Sequence, residues 1–261
     1  MNKIPVGVFD SGIGGITVLA NIIRTLPGQR FIYFGDTKNA PYGTKDSETI
    51  LKHTMNAADF LLDKGIKALV VACNTATSAG INKLRETLSI PVIGMEPALK
   101  LAVDNGNGGS IAVMATSLTI RERKFNHLME NFSSKADVIP VACPGLVELI
   151  EAGEWGGPSI HSYLKEKFLD KDIEKITDVV LGCTHYIFIK KAVKDFFGNK
   201  VNVLDGNEGT ARHLKRVLVS EGLYKENPLS DKFQDSFVEF HFSGQADKPI
   251  ELYKDWLKEN I

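Results

Sequence analysis

Ala68-Leu69-Val70-Val71-Ala72-Cys73-Asn74-Thr75 and Asp178-Val179-Val180-Leu181-Gly182-Cys183-Thr184-His185 read almost alike, and their cysteines are 110 residues apart. Each is an apolar run that stops at a cysteine and continues into small hydrogen-bonding residues suited to opening a helix. An unbroken apolar run of this length is the pattern of a parallel strand buried on both faces, and the residues after it are those that cap helices. A thiol at the carboxyl end of such a strand stands where open α/β sheets bind ligands and where helix N–H groups ease its ionisation. One such thiol suggests a nucleophile. A matched pair suggests two bases acting on one substrate.

Outward from these runs the chain alternates strands and helices. Ile4–Phe9 reads as a strand, and Gly12-Ile13-Gly14-Gly15 turns into a helix with Ile16, Leu19, Ile22, Ile23 and Leu26 on one face. Phe31–Phe34 is a second strand and Asp36–Gly43 a loop. A helix then runs from about Asp46 to Lys64, with Leu51, Met55, Ala58 and Leu62 at helical spacing, and Gly65 ends it. The strand 68–72, a helix to about Leu88 and the short strand Pro91–Gly94 complete the unit. Such alternation predicts an α/β fold with largely parallel sheets.

The plan then begins again. After Asn105–Gly109, the strand Ser110–Ser117 resembles the first one, with Ala115 where Asp10 stands, 105 residues earlier. Asp137–Val141 falls where the second strand would, and Cys183 where Cys73 would. Similar offsets across three elements predict an internal duplication, although any α/β chain offers some such coincidences. The expectation is two pseudo-symmetric, three-layer α/β domains with mostly parallel sheets and the active site in the cleft between them. The first domain is expected over residues 1–95, completed by 208–261, and the second over 96–207. The tail, with a strand pattern at Phe237–Phe242 and a helix at Pro249–Glu259, has no counterpart in the repeat and is expected to pack back onto the first domain.

Composition bounds the partners. The 261 residues are 43% hydrophobic and 24% charged, ordinary for a soluble globular protein. With 31 basic and 32 acidic residues and no basic stripe, nucleic acid is not expected as the main partner. No apolar run reaches membrane-spanning length, and the N-terminus enters a strand pattern without a signal sequence. Three widely spaced cysteines make no disulfide framework. The expected compartment is cytoplasmic, with reduced thiols.

Among site candidates, Asp10 ends the first strand and is either a functional carboxylate opposite a cleft or a helix cap. The segment Gly12-Ile13-Gly14 with Asp36 superficially fits a dinucleotide fingerprint, but Thr17 takes the third glycine position and Asp10 would repel a pyrophosphate. His185, beside Cys183, can hold a proton or donate to a carboxylate. Pro41-Tyr42-Gly43 is either a plain turn or a backbone clamp on a ligand. Thr116 and Thr119 could reach the cleft from the second domain by pseudo-symmetry with Asp10 and Ser11. Glu151 alone reads as a helix-end surface charge, and Cys143 as structural. No cluster has metal-ligand spacing, so neither a metal nor a cofactor is expected.

At Asp10-Ser11-Gly12-Ile13-Gly14-Gly15, Pro41-Tyr42-Gly43, Cys73-Asn74-Thr75-Ala76 and Leu181-Gly182-Cys183-Thr184-His185-Tyr186, the chain resembles the cofactor-independent aspartate/glutamate racemases, glutamate racemases in particular. The motifs occur in the family's order, and the pairing of Cys-Asn-Thr with Gly-Cys-Thr-His is the specific part. The resemblance implies interconversion of L- and D-glutamate, with D-glutamate supplied for peptidoglycan. It makes Cys73 and Cys183 the two acid/base thiols, Cys73 acting on the D and Cys183 on the L enantiomer. Asp10 assists on the Cys73 side, His185 on the other, and Glu151 falls near a further family carboxylate. The substrate contacts it implies are Asp10, Ser11, Pro41, Tyr42, Gly43, Asn74, Thr75, Thr116, Thr119, Thr184 and His185. Ile187 departs from the pattern, which usually has proline after His-Tyr. An aspartate racemase, a thiol hydrolase or phosphatase, and a non-catalytic amino-acid-binding module are the alternatives. The second leaves one cysteine unexplained, and the intact cysteine pair argues against the third. A homodimer is compatible with the resemblance, although the sequence does not fix the assembly.

Overall fold

The protein is described by a computed structural model that covers residues 3–95, 98–106, 108–132, 134–198, 200–225, 238–244 and 250–261. Glu96 at the expected domain boundary, Asn107 in the glycine-rich stretch, and Phe237 and Pro249 at the starts of the tail elements lie outside the described residues. The first half runs β1 (Val6–Asp10), α1 (Ile16–Thr25), β2 (Phe31–Gly35), α2 (Ser47–Asp63), β3 (Leu69–Val71), α3 (Asn74–Thr87), β4 (Val92–Gly94) and α4 (Leu99–Asn105). The second runs β5 (Ser110–Ala115), α5 (Ser117–Arg121), α6 (Arg123–Phe132), β6 (Val138–Ala142), α7 (Leu146–Glu151), α8 (Gly157–Lys167), β7 (Ile176–Leu181), α9 (Lys190–Phe197), β8 (Asn202–Asp205) and α10 (Asn207–Ser220). The tail adds β9 (Val238–Phe242) and α11 (Ile250–Glu259).

Two sheets form, ordered β4-β3-β1-β2-β9 and β6-β5-β7-β8, and every strand pairing is parallel. The central strands carry the unbroken apolar runs because helices cover both faces: every residue of β1 and of β5 is buried. The repeat extends to register. Gly7 faces Leu69 and Phe9 faces Val71 in the first sheet, while Ala112 faces Val179 and Met114 faces Leu181 in the second. These are the positions related by the offsets read from the sequence. The two cysteine-bearing strands therefore leave their sheets at equivalent points.

Local signals set the element ends. Asp46 caps α2 by accepting from the Thr49 N–H at 2.8 Å, and Gly65 at φ +75° releases the chain toward β3. The strand-like alternation of the tail becomes β9, which pairs with β2 at the edge of the first sheet, and α11 packs on α1. The helix after the last strand of each repeat crosses over. Leu99 and Ala102 of α4 pack with Ile111, Val113 and Val180 of the second sheet. Conversely α10 lies along α1 and against β4, with Ala211, Leu214 and Leu218 buried.

One difference from expectation bears on the site. After Cys73 an α-helix does begin at once, but after Cys183 residues Thr184–Ile189 form 3-10 turns, and α9 opens only at Lys190. The apolar side chains Tyr186, Phe188 and Ile189 are each buried, and Gly14 of the first domain presses on the backbone of His185. A tighter turn with eclipsed i,i+3 side chains accommodates this better than a regular helix. Ile187, half-buried against the core, lies in the middle of that stretch.

Because α10 provides much of the cover for α1, truncation of its central anchor is costly. Leu214→Ala is expected to lower unfolding stability by about 2–5 kcal/mol, the range for emptying a buried leucine site, measured as a shift of the urea midpoint.

Candidate active site

The carboxyl ends of the two sheets meet, and the buried polar residues of the protein concentrate there. On the first wall, β1 delivers Asp10, fully buried, whose Oδ1 accepts from the Gly12 N–H at 2.8 Å. Asp10 therefore closes its own turn, and the backbone of Gly15 at the head of α1 also bonds its carboxylate. Cys73 itself caps α3: its Sγ accepts from the Ala76 N–H at 3.4 Å and its thiol donates to Ser11 Oγ at 3.4 Å. Asn74 follows, buried, with neither Oδ1 nor Nδ2 hydrogen-bonded among the described residues. A buried amide with both ends unsatisfied is costly in isolation and points to a polar ligand.

On the second wall, Cys183 Sγ lies 3.9 Å from His185 Nδ1, and His185 Nε2 lies 2.9 Å from Glu151 Oε1. Glu151 is thus not the surface charge that its place at a helix end suggested, because α7 ends where its side chain meets the imidazole. Thr184 donates from Oγ1 to Asp10 Oδ2 at 3.1 Å, which joins the walls directly. Farther along the cleft, Thr75 lies 3.1 Å from Thr116 and 3.3 Å from Thr119, which are 2.9 Å from each other, oxygen to oxygen. These hydroxyls form a closed ring across the domains, and their protons can turn onto a carboxylate placed between them.

Glycines make this proximity possible. A Cβ on Gly14 would fall 2.5 Å from both His185 Nδ1 and Thr184 Oγ1, and one on Gly12 would fall 2.6 Å from Glu151 Oε1. Gly43 presents its open face to Thr116, where a Cβ would sit 2.8 Å from the threonine Cβ. Gly12 and Gly14 therefore form a contact surface for the second domain, while Gly15 makes room for Asp10 and Tyr33 of its own domain, which gives these glycines a reason other than a nucleotide. Tyr42 is buried and donates to Asp36 Oδ2 at 2.6 Å. Pro41 sits one step outward, its carbonyl accepting from the Thr44 hydroxyl at 3.1 Å. Cys143 bonds the Val141 carbonyl at 3.4 Å.

Three buried residues of the neighbourhood were not read from sequence as part of the site, Asp36 having served there only as the acidic position of a misleading nucleotide pattern. Tyr33 donates to the Gly12 carbonyl at 2.7 Å, Asp36 anchors Tyr42, and Asn207 bonds Thr17 at 3.1 Å. A polar residue inside an otherwise apolar strand, as Tyr33 is in β2, was the only signal available.

Electrostatics divide the two thiols. Burial, reinforced by the negative charge of Asp10, pushes the Cys73 thiol up to about 12 against the opposing bonds from Ser11 and Ala76. Burial also raises the Asp10 carboxyl, opposed by the charge of His185 and by bonds from Gly12 and Thr184. For His185, burial alone would disfavour the cation. The bonds and charges of Cys183 and Glu151 outweigh it and hold the imidazole well above the ordinary histidine value. One wall holds Cys73 as a thiol, and the other sets an imidazolium beside Cys183. The cleft is shut: Cys73 and Cys183 are 5% and 7% exposed.

Two pseudo-symmetric α/β domains with one thiol each at a shared cleft define a class, and the sequence pattern of the Asp/Glu/Hydantoin racemase family matches residues 9–214. The chain belongs to that family. It is 54% identical over 226 residues to the glutamate racemase of Clostridium botulinum, covering 87% of this chain and 88% of that one. Among solved structures, a glutamate racemase isoform from Bacillus anthracis superposes with a TM-score of 0.87 at 31% identity, covering 99% of this chain and 95% of the other. The glutamate racemase of Francisella tularensis in complex with D-glutamate gives 0.83 at 28% identity with the same coverage.

Two measurements check the geometry. Gly14→Ala forces a methyl group into the His185 contact and is expected to cost about 1–3 kcal/mol, the range for overpacking, in urea unfolding. Glu151→Gln removes the charge facing Nε2, so the His185 titration midpoint followed by imidazole NMR is expected to move down. Since the folded value is raised, the stability that charged His185 contributes is complete below about pH 6.5 and is lost as pH rises through the folded value. Glu151→Gln is expected to shrink that contribution.

Proposed function

We propose that this protein is a cofactor-independent glutamate racemase, interconverting L- and D-glutamate by taking the α-proton with one thiol and returning a proton from the other. The observation that carries the reading is the cysteine pair: equivalent strands of two parallel sheets bring one thiol each to a single closed cleft, Cys73 bonded to Ser11 within the field of Asp10 and Cys183 beside His185. Inversion at carbon needs proton removal on one face and delivery on the other, and a single base would have to change sides. Cys73, protonated at rest, is the donor, and Cys183 beside His185 is the base. When Cys73 works as the base instead, Asp10 is the carboxylate whose field it feels. Glu151 keeps His185 charged and oriented.

The substrate's carboxylates meet neutral donors in this reading. Asn74, whose amide is unpaired, and the hydroxyls of Ser11, Thr75, Thr116, Thr119 and Thr184 supply them, with the Tyr42-Gly43 backbone closing one side. Neutral, preorganised donors in a water-excluded site stabilise the charge that develops at the α-carbon without trapping the carboxylate ground state in an ion pair. Cytoplasmic D-glutamate for peptidoglycan is the product this activity would provide. A homodimer is the assembly expected alongside it, read out by sedimentation.

The test uses L-glutamate and purified protein dialysed against chelator, with optical rotation followed in time. Racemisation is expected to persist, and Cys73→Ser or Cys183→Ser to reduce it by about 10²–10⁴-fold, the worth of a general acid or base. Each variant should still deprotonate one enantiomer of an analogue that expels a β-substituent: the L form for Cys73→Ser and the D form for Cys183→Ser. The same preference in both variants would refute two-base catalysis, and comparable turnover of L-aspartate would assign the protein to the aspartate enzymes.

A further inference from the structure

Asn207 opens α10, the helix that returns from the second sheet to α1, and its side chain is 2% exposed. Nδ2 donates to Thr17 Oγ1 at 3.1 Å, while Oδ1 has no hydrogen-bond partner among the described residues. Thr17 is fully buried in α1. Its hydroxyl lies 2.9 Å from the Gly14 carbonyl and 3.4 Å from the Thr184 carbonyl. Thr184 stands between Cys183 and His185, and Gly14 is the residue pressed against both Thr184 and His185. Three distant segments thus converge on one hydroxyl that takes no part in the proton transfers themselves.

The chemistry of that hydroxyl defines its task. A threonine has one proton to give and two lone pairs to offer. With the Asn207 amide donating to a lone pair, the proton is turned toward the two carbonyls, one from each domain. The hydroxyl is then a tie between the glycine loop and the Thr184 loop, aimed by Asn207. An apolar side chain at 207 would avoid the unpaired buried Oδ1, so the amide is a poor device for stability and a suitable one for orientation. The 3-10 backbone after Cys183 lacks the α-helical ladder that holds the Cys73 side, where Sγ caps α3. The loop that carries the second thiol is the one in need of an external tie.

We propose that Thr17 and Asn207 are positioning residues for the Cys183 half of the reaction, fixing the Thr184 backbone and through it the placement of Cys183 and His185 over the α-carbon. This rests on the two-thiol reading. The readout separates the halves: both enantiomers of a glutamate analogue bearing chloride on carbon β are supplied to each variant. Removal of the α-proton sends its electron pair into an α,β double bond as chloride leaves, so each enantiomer reports one thiol alone. The enantiomer served by Cys183 is the one that Cys73→Ser still processes.

Thr17→Val is expected to slow elimination from that enantiomer by about tenfold to a hundredfold, as for a small misplacement of a reacting group, while the other enantiomer keeps close to its original rate. Asn207→Ala should act in the same direction more weakly, and Thr17→Ser should restore the rate. Equal losses for both enantiomers, no loss, or failure of Thr17→Val and Asn207→Ala alike to fold would overturn the inference. If the unaltered protein does not racemise L-glutamate at all, the two-thiol reading falls first, and this inference with it.

Discussion

At Gly14 the two domains come closer than any side chain would allow, with a would-be Cβ 2.5 Å from His185 Nδ1 and from Thr184 Oγ1. The other features of the cleft depend on that approach. It lets Thr184 reach Asp10, and it sets His185 between Cys183 and Glu151. Both thiols are buried beside it, which raises the worth of every charge inside. A backbone without side chains is the only surface thin enough to bring both walls within one amino acid of each other, and the glycines are there for that reason.

The walls are built alike and charged differently. Duplication supplies two strand ends in matching register, but chemistry across an α-carbon requires that one thiol hold a proton while the other is ready to take one. The difference comes from the backbone and side chains beyond each cysteine. Behind Cys73 a helix starts at once, but burial, reinforced by the charge of Asp10, outweighs its N–H groups and pushes the thiol up. Behind Cys183 there is no helix start, and a buried imidazole held by Glu151 stands in its place. The asymmetry lies in the loops and leaves the matched central strands in the same register.

Much of this was legible in the sequence. The apolar runs ending at Cys73 and Cys183 gave the strands, and the offsets between them anticipated a register that the sheets display residue by residue. Tail alternation anticipated an additional strand. What escaped were features that depend on contact between segments far apart. The 3-10 turns after Cys183 arise from a glycine loop about 170 residues earlier, and local propensity does not contain it. Glu151 carries an ordinary helix-end pattern until α7 is placed against His185. Thr17 looked like a failed glycine in a nucleotide motif, and Asn207 had no motif at all, because their meaning lies in a hydrogen bond across 190 residues of chain.

The crossing of α4 and α10 carries an implication about ancestry. Each repeat ends in a helix whose apolar face belongs on the other repeat. A single repeat made as a free chain would expose that helix and would strip its own sheet of cover. Two copies could satisfy each other by trading helices, as in domain-swapped dimers. The present chain has the form of such a dimer joined end to end, with its two equivalent thiols then free to diverge.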